Sequence, residues 1–182
     1  MKKFHFLLVP ISFFLIAAMI AAAKESRMKL VSPAFEDGGR IPLKYVMPGA
    51  GGKNISPPLR WEGEPEGTKS FALLCVDPHP VARNWVHWMV INIPREIHEL
   101  PEGASGKHMP SGARELKNSF GFTGYGGPQP PPGTGEHPYV FTIFALKVEK
   151  LDLPENTALK TFEKVISPYI LAKGQLTGYF GR

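Results

Sequence analysis

Two segments of this chain gather most of the side chains that could do chemistry. Asp77-Pro78-His79-Pro80 runs into Trp85-Val86-His87-Trp88, and Gly124-Tyr125-Gly126-Gly127-Pro128 runs through further prolines and Gly133 into His137-Pro138-Tyr139. Together they offer a carboxylate, imidazoles, a phenol and a glycine-rich turn whose backbone N–H groups are open to donation. Such a set suits a small anion, including one that also carries a positive charge. His137 and Tyr139 stand two apart at the start of an apolar strand, so they point to one face and one pocket can receive both. Gly126, Gly127 and Gly133 allow the backbone to approach a ligand closely. Pro128, Pro130, Pro131 and Pro132 stiffen the same loop and lower the entropy lost on binding. The plainer reading is that His137 and Tyr139 cap a strand end with satisfied hydrogen bonds.

His87 lies in Trp85-Val86-His87-Trp88-Met89-Val90-Ile91-Asn92-Ile93, where it must find a polar partner or stay neutral. On its own it reads as a core histidine bonded to a backbone carbonyl. Asp77, however, ends the other strand of comparable apolarity, and a carboxylate beside this imidazole would fix its tautomer and favour its charged form. Asp77, His87 and His137 could also ligate a metal with an open position, although no closely spaced histidine pair supports that. A serine hydrolase has less behind it, because Ser105, Ser111, Ser119 and Ser167 all lie outside a Gly-x-Ser-x-Gly elbow.

The elements that must position these groups read as mostly β. Short apolar runs are punctuated by 19 glycines and 19 prolines, and helical periodicity is rare. Strands are expected at 29–32, 43–46, 70–76, 86–93, 139–148 and 176–180. The Pro/Gly-rich stretch between Leu100 and His137 is too long for an idle loop and is expected to build a site. Near the C-terminus Asn156 or Thr157 can cap a helix in which Leu159, Phe162, Val165 and Ile166 share a face, ended by Pro168. A second short helix is expected from Tyr169 to Lys173, closing on Gly174. The pattern gives two packed antiparallel sheets with short C-terminal helices.

Of the 182 residues, 43% are hydrophobic and 20% charged, which places the chain among globular domains and away from disordered ones. Lys2 and Lys3 precede an apolar run from Phe6 to Ala23, and Ala21-Ala22-Ala23 offers the small residues that signal peptidase reads. Residues 1–23 are therefore expected to be a secretory signal peptide and 24–182 a single domain; the alternative is an N-terminal membrane anchor. Export to the periplasm or beyond follows under either reading. The segment carries two lysines and no acid, so its loss lowers the formal charge of +5 by two. The remaining lysines and arginines are scattered without aromatic interleaving, and a nucleic-acid partner is not indicated. The sole cysteine, Cys75, lies in an apolar strand, where it reads as a small buried hydrophobe.

In Asp77-Pro78, Trp85-Val86-His87-Trp88, Gly127-Pro128 and His137-Pro138-Tyr139 the chain resembles the phosphatidylethanolamine-binding protein family, in its bacterial Raf-kinase-inhibitor-like (YbhB/YbcL-type) branch. Asn54-Ile55-Ser56-Pro57-Pro58-Leu59-Arg60-Trp61 matches an early signature of that family and reads as a structural loop without a site role. The resemblance spans nearly all of 29–182. It implies a Greek-key antiparallel β-sandwich with a pocket at one edge, walled by Asp77, His87, Gly127, Pro128, His137 and Tyr139. A phosphate would be held by the imidazoles, the phenol and the turn amides, and an ethanolamine ammonium would suit Asp77. Departures occur at His79-Pro80, where the family usually has Asp-Ala, at Pro138, and at Met47 and Gln129, where bacterial members often carry cysteines.

The expected function is that of an exported binding protein for phosphate or a phosphoethanolamine-like anion, able to modulate a protein partner as a kinase or protease inhibitor does, with no catalysis, cofactor or metal. The alternatives are a metal-dependent or other hydrolase using the Asp/His pocket, and an envelope interaction protein whose pocket is vestigial. Phe120, Phe122 and Tyr125 are expected either to form a homodimer face or to line the pocket loop.

Overall fold

A computed structural model describes residues 28–182. The signal peptide or anchor expected over 1–23 lies outside these residues. In chain order the strands are β1 (Lys29–Val31), β2 (Gly39–Arg40), β3 (Leu59–Glu62), β4 (Ser70–Asp77), β5 (Trp85–Pro94), β6 (Glu99–Leu100), β7 (Arg114–Glu115), β8 (Glu136–Leu146) and β9 (Ile170–Gly181), with helix α1 (Leu159–Ile166) before the last strand. They form a small sheet ordered β1-β3-β6 and a larger one ordered β2-β9-β8-β4-β5-β7. Every pairing is antiparallel except β2 with β9, a departure from the expected all-antiparallel pattern.

The central strands β4, β5 and β8 read as continuous apolar runs because the larger sheet is covered on both faces. One face packs Phe71, Leu73, Cys75, Trp88, Phe141 and Ile143 against Leu30, Leu59 and Trp61 of the small sheet. The other packs Leu74, Met89, Ile91 and Phe144 against Phe162 and Ile166 of α1, with Leu151 and Leu153. Cys75 is a buried free thiol in the first layer, as expected of a small hydrophobe.

Three expected elements are corrected. Residues 43–46 form a 3-10 turn, Leu43–Tyr45, whose Tyr45 N–H donates to Pro42 O and whose successor Val46 donates to Leu43 O. The flanking Pro42 and Pro48 break any ladder there, and only Tyr45 and Val46 turn inward. The helix expected over Tyr169 to Lys173 is a 3-10 turn, Ser167–Tyr169, followed by the start of β9, because Ala172 and Lys173 register with Ala145 and Phe144 of β8. Gly174 is therefore no helix cap. It lies where a Cβ would stand 2.7 Å from Met28 O, so the close passage of the N-terminal strand requires it. The third correction is β3, which falls inside the segment read as a Pro-rich loop; its Leu59 and Trp61 alternate inward while Arg60 and Glu62 face water. Helix α1 forms where its apolar spacing placed it, entered from Ala158 with no side-chain cap. The hydroxyl of Thr157 goes instead to Pro154 O.

Candidate functional site

The C-terminal end of β4, the start of β5 and the start of β8 converge on a cavity of ≈ 200 Å³. Asp77, His87, Gln129, His137 and Tyr139 supply its polar lining, and Val81, Trp85, Phe120, Pro130 and Pro131 are among its apolar walls. His137 and Tyr139 reach it together through the two-residue period of β8, as the sequence indicates. His87 reaches it by a different device. Between Cys75↔Trp88 and Val76↔Val86 the β4–β5 ladder skips a residue, and His87 is the extra one. Val86 consequently packs into the α1-side core while both His87 and Trp88 face the opposite side. A bulge of this kind re-aims a single side chain, which simple alternation would have sent toward α1.

Asp77 and His137 are partners. Asp77 Oδ2 lies 2.6 Å from His137 Nδ1, with both side chains buried. The other carboxylate oxygen accepts the His79 N–H at 2.9 Å. The sequence suggests Asp77 beside His87; the antiparallel register of β4 with β8 carries it to His137 instead. On the far side of the ring, His137 Nε2 lies 2.9 Å from Thr134 Oγ1. That hydroxyl has the Pro131 carbonyl, which can only accept, 2.7 Å away. An oxygen of Asp77 and the Thr134 hydroxyl oxygen thus face the two ring nitrogens, and both are engaged within the protein. His79 stacks on that ring with centroids 3.7 Å apart. Each oxygen of Asp77 has one partner, so an ammonium would have to share a carboxyl group already engaged with His137 and the His79 amide.

His87 presents the opposite chemistry. Its Nδ1 lies 2.5 Å from Gly126 O, and its ring meets Phe120 and Tyr139 edge to face. Burial among these rings disfavours the imidazolium and lowers its pKa from 6.5 to about 4, against smaller opposing effects of the Gly126 carbonyl and the Asp77 charge. The plain reading of His87 as a carbonyl-bonded core histidine and the pocket reading therefore both apply.

Because this pKa is lower in the folded chain than in the unfolded one, the unfolded chain gains its proton first as pH falls. The contribution of His87 to stability is therefore complete above pH 6.5 and is lost progressively as pH falls toward about 4. At up to about 1.4 kcal/mol per pH unit, the loss over that window amounts to roughly 3 kcal/mol. Urea unfolding at a series of pH values should show this decline, and the His87 ring resonances should stay those of a neutral imidazole down to about pH 5. A His87 titration centred near 6.5 would contradict the burial argument.

Tyr139 is 1% exposed, and its hydroxyl has no hydrogen-bond partner. Burial pushes its phenol pKa far up, so it stays a donor. Among the described residues one other buried side-chain atom lacks a partner, Trp61 Nε1, beyond this cavity.

The glycine turn plays a different part from the one expected. Gly126 N–H donates to His87 O at 2.8 Å, and Gly127 N–H donates to Asn54 Oδ1 at 2.7 Å. Those amides are already used, and Gly127 and Pro128 stand behind the lining rather than in it. A Cβ on Gly127 would come within 2.1 Å of Tyr45 O, so the glycine is required by close packing of two backbones. Tyr125 is likewise buried, donating its hydroxyl to Tyr45 O, which removes it from the proposed dimer face. Phe120 lines the cavity and Phe122 stacks on it.

Two positioning residues went unread in the sequence. Asn54 bridges the turn by accepting from Gly127 and donating to Tyr125 O. Arg182 donates from Nε to Pro130 O and from Nη1 to Gly49 O, each at 2.6 Å, and so ties down the proline wall. The local hint for Asn54 is an asparagine ahead of a Pro-rich run, a residue type that tolerates the left-handed φ of 52° it adopts. For Arg182 no local signal exists. A metal triad does not assemble, since among the described residues no three His, Cys, Asp or Glu side chains are grouped to hold an ion.

Comparisons with known proteins agree on the lineage. A family model described as phosphatidylethanolamine-binding protein matches residues 31–181. The UPF0098 protein YbhB of Escherichia coli K12 is 40% identical over 158 residues, spanning 84% of this chain and 99% of the relative. LppC of Mycobacterium tuberculosis, described as a candidate lipoprotein, is 35% identical over 84% of this chain and 72% of its own length. The crystal structure of E. coli YbcL, described as a new member of the mammalian PEBP family, superposes with a TM-score of 0.81 at 34% identity, covering 86% of this chain and 99% of that one.

Proposed function

The chain belongs to the phosphatidylethanolamine-binding protein family, in its YbhB/YbcL-type branch, and we propose that it acts outside the cytoplasm as a receiver of a small phosphoryl anion in the cavity where β4, β5 and β8 meet. The observation that carries this reading is the Tyr139 hydroxyl. A buried hydroxyl without a partner costs stability, and this one belongs to the cavity lining, where a ligand can complete it. The Asp77–His137 pair and the Thr134 hydroxyl hold the strand end from which it projects, and Arg182 fixes the wall opposite.

Binding rather than catalysis suits this lining. It contains no serine, threonine or cysteine to act as nucleophile, and its carboxylate is held by His137 and the His79 amide. Val81, Trp85 and Phe122 stand exposed around the mouth, an apolar rim on which a protein partner could register whether the cavity is filled. Action outside the cytoplasm draws on the apolar run from Phe6 to Ala23 and on the likeness to a candidate lipoprotein.

The test is an NMR titration of the imidazole resonances with O-phosphorylethanolamine. Saturable shifts at His87 and at the His137 ring are expected. Unmoved histidines at saturating ligand would remove the pocket from consideration and turn attention to the rim.

A further inference from the structure

We propose that the cavity selects oxyanions that carry a proton, such as hydrogen phosphate or the monoanion of a phosphate monoester, over oxyanions that carry none, such as sulfate or a phosphate diester, and that His87 Nε2 makes the selection. This rests on the anion-pocket reading and names its ligand class.

The argument is one of donors and acceptors. Gly126 O, 2.5 Å from His87 Nδ1, can only accept, so the hydrogen of the neutral ring must sit on Nδ1. The neutral imidazole has no second N–H, and Nε2 therefore carries a lone pair. Tyr139 offers the reverse, a hydroxyl hydrogen with nothing to receive it. The two rings meet edge to face with centroids 4.9 Å apart in the lining of one small cavity. A ligand group placed between them must accept at Tyr139 and donate at His87. A P–O⁻ beside a P–OH does both. Sulfate has only acceptors at neutral pH, and a diester has no hydrogen to give.

The charged groups around His87 do not supply an alternative. From β4 comes Asp77 and from β8 His137, and these two are paired with each other. Tyr139, also from β8, is held protonated by burial, and Phe120 closes the ring's other side without charge. An oxyanion that lacks a proton would therefore oppose lone pair to lone pair at His87, or would have to draw a proton onto a ring that burial keeps neutral. Sites that leave a buried polar group unpaired reject such ligands strongly.

The same logic separates two sources of a phosphoryl group. The headgroup of an intact phospholipid is a diester, whereas a free phosphoethanolamine or another released phosphate ester is a monoester. The cavity is matched to the second.

The test compares four probes by imidazole NMR titration at about pH 5.5, below the second pKa of about 6 of a phosphate monoester, so that the monoester carries its proton: inorganic phosphate, sulfate, methyl phosphate and dimethyl phosphate. Phosphate and methyl phosphate are expected to bind at least about tenfold more tightly than sulfate and dimethyl phosphate. In His87→Gln the side-chain amide can turn an N–H toward the ligand, and the phosphate-to-sulfate ratio should collapse toward one. Sulfate binding as tightly as phosphate in the unaltered protein would overturn the proposal while leaving the anion pocket standing. Undiminished discrimination in a folded His87→Gln would overturn the role of His87. If none of the four probes binds, the anion pocket itself fails and this inference with it. Should His87→Gln not fold, the ratio in the unaltered protein decides the matter.

Discussion

Tyr139→Phe is expected to make the protein more stable and a poorer binder at once. The phenylalanine ring keeps the packing against His87 and removes a buried hydroxyl that has no partner, which should raise stability by about 1 kcal/mol. The same change deletes a buried donor of the cavity lining that has no partner within the protein. Loss of a hydrogen bond to a charged ligand group is worth about 1.5–3 kcal/mol, so affinity for phosphate should fall by about tenfold or more. Thermal melting and NMR titration of the same sample check both halves. An ordinary structural tyrosine would show the opposite melting shift, and a hydroxyl irrelevant to the ligand would leave affinity unchanged. The trade of stability for binding is what separates a retained site from a vestigial one.

Asp77→Asn should have a larger effect on stability. The carboxylate pairs with a ring that is 0% exposed, and its second oxygen holds the first amide of the loop that carries Val81 and Ala82 into the cavity wall. Removing one partner of a buried hydrogen-bonded pair leaves the other's polar atom unsatisfied, which costs about 1–3 kcal/mol and more where charge is involved. Urea unfolding should show that loss at neutral pH. A cost below about 1 kcal/mol would mean that water, rather than the pair, satisfies His137.

Much of this was readable in the residues, and the failures have physical reasons. His137 and Tyr139 could be placed on one face because a strand has a fixed period of two and no partner needs to be known. The unbroken apolar runs of β4, β5 and β8 point instead to strands covered on both faces, a signal that also needs no knowledge of the partners. His87 could be named but not aimed, since its direction depends on a bulge set by pairing with β4. The partner of Asp77 is 60 residues away and that of the Gly127 amide 73 residues away, and nothing local announces either. A glycine-rich turn reads the same whether its amides face a ligand or an asparagine. The start of β9 reads as a helix in the sequence because Ile170, Leu171 and Ala172 suit either state, and only the register with β8 decides. Arg182 acts on Pro130 and Gly49 through long-range contacts that no periodicity encodes.

The central claim, that Tyr139 and His87 together receive a phosphoryl group, is tested most directly by a crystal structure of the protein grown with saturating O-phosphorylethanolamine. The phosphoryl density should lie in the cavity within hydrogen-bonding distance of both Tyr139 Oη and His87 Nε2, with the Asp77–His137 pair unbroken beside it. Ligand density on the rim with these two atoms untouched, or a cavity that stays empty at saturation, would contradict the claim.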